Sequence, residues 1–547
     1  MGRQTRGGGQ NLAVRFDVPV DGRVSGALVL VPSVGRESVV SFRTMRAVAR
    51  LAADNGLAAV SLWLTGDGDS GPLPDHADPV QTWVEDVETV IAWSRGLVGD
   101  RPVHVVGLRL GAALLGLLAR ERAGETRLQW EPVSGRTFLS RHKTIRRMTI
   151  RIPALPHGVE LAGTTFTEAQ AAAIARLRAP SRLGGDAADG TTLRFEPDRE
   201  VADRIASTSP HFAQVPHDSI RQILTLLGQA DPAALESYAL CPQATFTGPQ
   251  GPVVERFCEL GPYRLPAVMT QPMGTAPTHV VLFTAMGAEL RCGPGNLWVD
   301  LARSLAASGV LCVRADRRLI GEALDPYEPT EPRPYTAHCV QDIVDTVTQL
   351  RSCTGLEVSG VGICSGAWAL LRASTRVRLR SVVSINNIDW DPDPEAYDDA
   401  FYEGAFRFDL EVADPSEVSA QTRPAGWRAN LEPWIGDRFR DLRYLLGVRF
   451  PWLRARLRGE ERHARLRWLL GQVPPGLCVT LVHGPKEASR TQMLHGDKDI
   501  ARLRRAGHRI DVTVLPALDH SALSAAGRAA LTRELTARLG APSRIAT

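Results

Sequence analysis

The feature that most constrains this chain is an internal repeat at a spacing of about 252 to 256 residues. Four landmarks recur in the same order: two apolar runs, the start of a helical pattern and a short glycine-containing turn. The paired segments are residues 28–31 and 280–283, 58–62 and 311–315, 84–87 and 340–343, and 105–111 and 361–366. Four matches in one order at nearly constant spacing predict a tandem duplication, with halves at residues 1–237 and 238–547.

Within each half, apolar and β-branched runs bounded by glycine or proline alternate with segments of helical periodicity. Such runs are typical of buried parallel strands, and their alternation with helices predicts an α/β fold. We therefore expect two tandem domains, each a mostly parallel sheet flanked by helices. The alternation breaks at residues 391–476, a stretch rich in Trp, Phe, Leu and Arg. There we expect a helical cap inserted into the second domain.

Composition narrows the range of partners. The 547 residues carry a net charge of only +4, and without a recognisable binding motif this argues against a nucleic-acid partner. The eight cysteines show neither CxxC pairs nor regular spacing, so we expect no disulfide framework, no metal site, no cofactor and a cytoplasmic location. The longest apolar stretch, residues 103–119, is interrupted by Arg109 and is too short to cross a membrane.

One turn of the second half has the pattern of a nucleophile turn, Gly362-Ile-Cys364-Ser365-Gly366. A Gly-x-nucleophile-x-Gly sequence between a strand and a helix needs its glycines because backbone passes close to backbone. The apex residue lies at a helix N-terminus, where a thiolate is favoured. We predict that Cys364 is a nucleophile and that the N–H groups of Ser365 and Met286 form an oxyanion hole. The alternative is a buried Cys364 that only lets the strand and helix pack closely.

A base and an acid follow Cys364 in the expected chain order. His520 comes directly after the last predicted strand, where this topology brings a base to the turn. Glu487 follows the preceding strand and is the first candidate for the carboxylate that fixes the histidine tautomer. Asp497 and Asp499 lie further along the same loop and remain alternatives.

These residues resemble the α/β-hydrolase superfamily. The second half is similar to bacterial hydrolases found near exopolysaccharide and natural-product genes, and the first half to related hydrolases of exosortase systems. The matching segments are residues 284–294, 296–303, 362–367 and 384–387 in the second half, and 128–135 and 159–163 in the first. The resemblance implies an α/β-hydrolase fold in both halves and a hydrolase that acts in natural-product or polysaccharide biosynthesis.

Two departures from the family pattern matter. In the first half the turn reads Gly107-Leu-Arg109-Leu-Gly111, and a guanidinium, which proteins do not deprotonate, is no nucleophile. We therefore interpret the first half as a degenerate hydrolase domain, in which Arg109 either binds an anionic group or has arisen by drift. In the second half, residues 319–323 replace the Gly-x-Gly-x-Ser turn expected after the Asp316 strand, which changes a loop but removes no catalytic group.

The leading functional hypothesis is hydrolysis of an ester or thioester through a Cys-His-acid triad. His520 takes the proton of Cys364, the thiolate attacks the acyl carbonyl, and water releases the acyl group. The same site suits an acyltransferase. The loss of the nucleophile from one half also permits a third hypothesis, a non-catalytic binding or scaffolding protein. The expected partner is a small-molecule or carrier-bound acyl substrate.

Overall fold

The computed structural model describes residues 2–5, 11–119, 124–179, 191–197, 210, 213–236, 240–248, 251–324, 333–397 and 465–540. Within these ranges the chain forms two large, mostly parallel sheets flanked by helices, which confirms the predicted α/β fold class. The boundary predicted between residues 237 and 238 falls outside the described residues and stays a prediction.

The first sheet is formed by strands that precede residue 196. The strands up to the middle of the chain are β1 (Gly2–Thr5), β2 (Asn11–Asp17), β3 (Arg23–Val24), β4 (Gly26–Val31), β5 (Leu57–Leu62), β6 (Val103–Leu108), β7 (Thr126–Trp130), β8 (Val159–Glu160), β9 (Thr165–Phe166), β10 (Thr191–Phe195) and β11 (Ala233–Ala234). The helices are α1 (Arg36–Asp54), α2 (Pro79–Val98), α3 (Leu110–Leu114), α4 (Gly135–Thr149), α5 (Glu168–Arg176) and α6 (His217–Thr225). The order is β1-β2-β5-β4-β6-β7-β10, in which the last five strands run parallel. Strands β3 with β11, and β8 with β9, form two small antiparallel pairs.

The second sheet has nine strands and carries the candidate site. Its strands are β12 (Gln243–Gly248), β13 (Gly251–Leu260), β14 (Leu265–Pro272), β15 (Val280–Thr284), β16 (Leu311–Ala315), β17 (Val358–Ile363), β18 (Ser381–Ile385), β19 (Cys478–His483) and β20 (Arg509–Val514). The helices are α7 (Leu297–Ala307), α8 (Ala337–Thr354), α9 (Ser365–Ala373), α10 (Leu466–Leu470), α11 (Pro485–Met493), α12 (Gly496–Arg505) and α13 (Ala525–Leu539). The order is β12-β13-β14-β16-β15-β17-β18-β19-β20, with six parallel strands from β16 to β20.

Helices cover both faces of this sheet because alternate strand residues point to opposite sides. In β15, Val280 and Leu282 belong to an apolar cluster with residues of α8 and α9. Val281 and Phe283 belong to the opposite cluster, with residues of α7 and α13. A strand buried on both faces needs an unbroken apolar run, which is the pattern seen in the sequence.

The predicted cap at residues 391–476 is described only at its two ends. Residues 394–396 form a single 3-10 turn, and α10 is a short helix. Residues 398–464 lie outside the described ranges, so the cap stays a prediction. In the described part of the chain, no helix combines the length and the apolar character needed to cross a membrane.

Candidate active site

Cys364 lies at the turn between β17 and α9, where the parallel strands end. Its φ of 50° and ψ of −120° are strained for a residue with a side chain. The turn depends on close backbone approach at both glycines: a Cβ on Gly362 would lie 2.6 Å from the Gly366 carbonyl carbon, and one on Gly366 would lie 2.7 Å from the Ala285 carbonyl oxygen. The half-buried Cys364 thiol therefore sits at the apex of a sharp strand-to-helix turn, as the sequence pattern predicts.

Glu487, in the first turn of α11, and His520, in the loop after β20, meet beside this turn. His520 Nδ1 lies 2.9 Å from Glu487 Oε1, and both side chains are buried. Although burial raises the pKa of Glu487, the hydrogen bond and charge of His520 hold it below its usual range. Asp499 instead bonds Arg465 at 3.2 Å, and Asp497 lies in the first turn of α12. Of the three candidate acids, the structure brings Glu487 to His520.

The second ring nitrogen of His520, Nε2, is buried and has no well-aligned hydrogen bond within the described ranges. Burial lowers the pKa of His520, but hydrogen bonding and charge from the nearby Cys364 and Glu487 raise it well above its usual value. A raised pKa allows the ring to take up and hold a proton from the thiol. This geometry suits proton transfer from a thiol to an imidazole whose other nitrogen is held by a carboxylate.

The loop after β15 is held against the turn by two side-chain hydrogen bonds. The Gly287 N–H donates to Ser365 Oγ at 2.9 Å, and Thr284 Oγ1 donates to the Gly366 carbonyl at 3.1 Å. The N–H groups of Ser365 and Met286 donate to none of the described residues. Both predicted oxyanion-hole donors are thus available to a bound oxygen.

Tyr335 is a further polar neighbour of the thiol. Its hydroxyl lies 3.7 Å from Cys364 Sγ and donates to Asp389 Oδ2 at 2.8 Å, while its ring stacks on Tyr397 with centroids 4.3 Å apart. Burial, reinforced by the charges of Asp389 and Cys364, raises the pKa of Tyr335 well above its usual value, so it stays protonated. No sequence motif marks Tyr335; the fold alone brings it to the thiol.

Asn386 links the loop that carries His520 to the N-terminus of the helix that carries Glu487. Its Nδ2 donates to the carbonyl oxygens of Asp519 and His520 at 2.9 and 2.8 Å, and its Oδ1 accepts the Gly484 N–H at 2.8 Å. Gly484 immediately precedes the helix that carries Glu487. The resemblance segment at residues 384–387 includes Asn386, but only the structure shows what its side chain does.

A small cavity of about 40 Å³ lies next to the turn, and its lining includes Thr284, Ala285, Cys339, Ser365 and Gly366. Cys364 and His520 are not among its lining residues, so this cavity is not where an attacked carbonyl would bind. In the described ranges, no group of three or more His, Cys, Asp or Glu side chains is arranged to hold a metal ion.

The corresponding turn of the first half has the same backbone but a different chemistry. Arg109 adopts φ 55° and ψ −112°, close to the values at Cys364. Its Nε lies 3.0 Å from the buried Glu37 Oε2, and Glu37 Oε1 contacts His142 Nε2 at 3.2 Å. Burial raises the pKa of Glu37, but Arg109 and His142 hold it well below its usual range. A guanidinium that neutralises a buried carboxylate therefore occupies the nucleophile position of the first half.

Comparison with known proteins finds likeness only among solved structures: no family model and no curated protein matches the chain. A dienelactone hydrolase from Anabaena variabilis is 13% identical, with 54% of this chain and 96% of that chain covered and a TM-score of 0.31. A lipase in its open form is 15% identical (53% and 100% covered, TM-score 0.33), and a hormone-sensitive lipase from a metagenome library is 16% identical (52% and 84% covered, TM-score 0.30). Such low identities and TM-scores transfer no role to this chain.

Proposed function

We propose that the second half is an acyl-transfer hydrolase of ester or thioester bonds, with Cys364 as nucleophile, His520 as base and Glu487 as the acid that orients the base. The observation that carries the proposal is the buried hydrogen bond between Glu487 and His520 beside the strained Cys364 turn. Nucleophile, base and orienting acid in one chain of contacts is the arrangement that activates a weak nucleophile.

The chemistry proceeds in two displacement steps. His520 Nε2 takes the thiol proton, Cys364 Sγ attacks the acyl carbon, and the developing oxyanion is bound by the N–H groups of Ser365 and Met286. The leaving alcohol or thiol departs with the proton from His520. Water then gives a proton to His520 and attacks the acyl-cysteine, which releases the carboxylic acid and regenerates the thiol.

The first half fits the proposal as a hydrolase-like domain that has lost its nucleophile. Support comes from Arg109, which has the backbone geometry of Cys364 but pairs with the buried Glu37. With this pairing, one active site per chain is the expected stoichiometry. Quantitative labelling of the intact protein with an acylating probe measures that number directly.

The test compares wild type with Cys364→Ala on 4-nitrophenyl acetate and on an acetyl thioester, with acyl adducts located by mass spectrometry. Cys339→Ala is the matched control, since Cys339 is a buried thiol that lines the neighbouring cavity. We expect turnover and a Cys364 adduct in wild type and in Cys339→Ala, and neither in Cys364→Ala.

Two other outcomes would redirect the assignment. An acyl-Cys364 that is stable to water but is discharged by an added alcohol or amine identifies an acyltransferase. An unmodified Cys364 in a folded wild-type protein exposed to both probes identifies a non-catalytic hydrolase-like protein.

A further inference from the structure

The loop that carries one predicted oxyanion donor, residues 284–291 (the oxyanion loop), contacts the first half at its end. Arg291 Nη2 contacts Asp69 Oδ2 of the first half at 2.6 Å, and Arg291 Nη1 contacts Asp316 Oδ2 at 2.5 Å. The Arg291 N–H also donates to Asp316 Oδ1 at 2.9 Å. A second cation, Arg314, lies 2.6 Å from Asp69 Oδ1. All four side chains are essentially inaccessible to solvent, so the end of the loop is fixed by ion pairs that water does not screen.

An apolar contact reinforces the same junction. Leu290, the neighbour of Arg291, is buried in a cluster with Ala13 and Trp63 of the first half and with Phe257 and Val268 of the second. Both the ionic and the apolar anchors of the loop therefore depend on first-half residues. The other end of the loop continues β15 and is bonded to the Cys364 turn.

The loop that carries the base, residues 515–524 (the base loop), is anchored to the first half as well. The Gly163 N–H donates to the Leu523 carbonyl at 3.0 Å, and the Ala525 N–H donates to Glu160 Oε1 at 3.0 Å. The Leu523 side chain packs in a cluster with Ile145, Ile150 and Ala162 of the first half. Arg528, just beyond the loop, also donates to the Gly163 carbonyl.

We propose that the first half, which has Arg109 at the turn equivalent to that of Cys364, positions the oxyanion loop and the base loop of the active site, with the Asp69–Arg291 ion pair fixing the oxyanion loop. This inference rests on the proposed function of the second half. Asp69 and Arg291 act through the loop backbone and are positioning residues. Without Asp69, Arg291 keeps Asp316 and Arg314 keeps Glu255, but the two buried cations lose the carboxylate that they share, and the loop loses its ionic contact with the first half.

Two reagents that react with Cys364 Sγ distinguish a displaced oxyanion loop from a damaged Cys364–His520 pair. Iodoacetamide alkylates Cys364 without forming an oxyanion, whereas 4-nitrophenyl acetate must form one. In full-length Asp69→Asn we expect Cys364 acylation to slow by about 10- to 100-fold. This loss is smaller than the roughly 100- to 1,000-fold loss caused by removing an oxyanion donor, because the donor is displaced and not removed. Alkylation should stay within about 2-fold, which also shows that the variant retains a folded Cys364–His520 site.

Three variants complete the test. Arg291→Lys keeps the charge but loses the two-pronged contact to Asp69 and Asp316, so its acylation rate should lie between wild type and Asp69→Asn. Leu523→Ala loosens the base loop and should slow both alkylation and acylation, because proton removal precedes both. Asn296→Gly is the matched control: Asn296 bonds the first-half residues Gly66 and Gly68, but it lies immediately before α7 and outside the oxyanion loop. Both of its rates should equal those of wild type.

The possible results distinguish failure of this inference from failure of the proposed hydrolase function. Wild type that is never acylated at Cys364 overturns the proposed function and this inference together. Wild-type acylation with an equal rate in Asp69→Asn overturns this inference alone. Equal losses of acylation and alkylation in Asp69→Asn, or an equal loss of acylation in Asn296→Gly, also overturn it, because either shows general loosening of the protein.

Discussion

The substitution Glu487→Gln removes the buried charge that His520 Nδ1 contacts at 2.9 Å and keeps the size of the side chain. A hydrogen bond to a charged group contributes about 1.5 to 3 kcal/mol, or one to two powers of ten in rate. The amide also changes the tautomer, because its NH₂ donates to Nδ1 and moves the ring proton to Nε2, the nitrogen that must accept the thiol proton. An acid-to-amide change in a triad lowers kcat by about 10⁴. We therefore expect acylation by 4-nitrophenyl acetate to slow by about 10³- to 10⁴-fold, equivalent to about 4 to 5.5 kcal/mol.

The assay is the single-turnover release of 4-nitrophenolate, which reports acylation without the later hydrolysis step. Asp499→Asn is the matched control, since Asp499 is a buried carboxylate on the next helix that pairs with Arg465 instead of His520. Its acylation rate should stay within about 3-fold of wild type, because a substitution that leaves the reacting groups and their orientation untouched leaves the transition state equally stabilised. The assignment of the acid would be refuted by a Glu487→Gln acylation rate within tenfold of wild type. It would also be refuted if Asp499→Asn lost more activity than Glu487→Gln.

Three further predictions concern the thiol, a buried histidine and the first half. Because Tyr335 donates to Asp389, its oxygen faces Cys364 as an acceptor; Tyr335→Phe removes a contact that favours the thiol over the reactive thiolate and should therefore speed iodoacetamide alkylation at pH 7 by about 3- to 10-fold. A slower rate would show that Tyr335 donates to sulfur. Burial lowers the pKa of His483 to about 4, so the unfolded chain, with a histidine pKa near 6.5, binds the proton first. Stability is then lost as pH falls from about 6.5 to 4, by up to about 3 kcal/mol; urea unfolding should show a smaller acid loss in His483→Leu, and equal losses would contradict this. Glu37→Gln removes the charge that Arg109 Nε contacts at 3.0 Å and should lower the free energy of unfolding by about 1.5 to 3 kcal/mol, the contribution of a hydrogen bond between charged groups. The double variant with Arg109→Met should recover most of that loss, and a single-variant change below about 1 kcal/mol would contradict the reasoning.

Local pattern was sufficient for the fold class and for the turn. Apolar runs alternating with helical periodicity predict buried parallel strands, because a strand covered on both faces has no polar side. The glycines at 362 and 366 are required by backbone contacts within a few residues of the turn or with the adjacent strand. The same constraint operates at Arg109, whose backbone keeps the turn geometry although its side chain is unsuited to nucleophilic attack.

The choice among acids depended on tertiary structure. Glu487, Asp497 and Asp499 lie within one stretch of sequence, and chain order alone left all three open. Helix geometry then separates them: Glu487 lies in the first turn of α11 facing His520, whereas Asp499 lies on α12 facing Arg465. Although Glu487 and Asp499 are close in sequence, they contact different side chains because they lie on two different helices.

The sequence by itself was enough to predict the α/β architecture and the strained turn that carries Cys364, whereas the duplication inferred from the internal repeat stays a prediction. Only the tertiary structure decided what surrounds the thiol: Tyr335 comes from a segment without a motif, and the role of Asn386 is visible only in its contacts with the loop of His520. It also decided how the halves depend on each other, through ion pairs such as Asp69–Arg291 that join residues 222 positions apart. Periodicity and turn chemistry are local and can be read along the chain, whereas a buried charge is explained only by the partner that the fold places beside it.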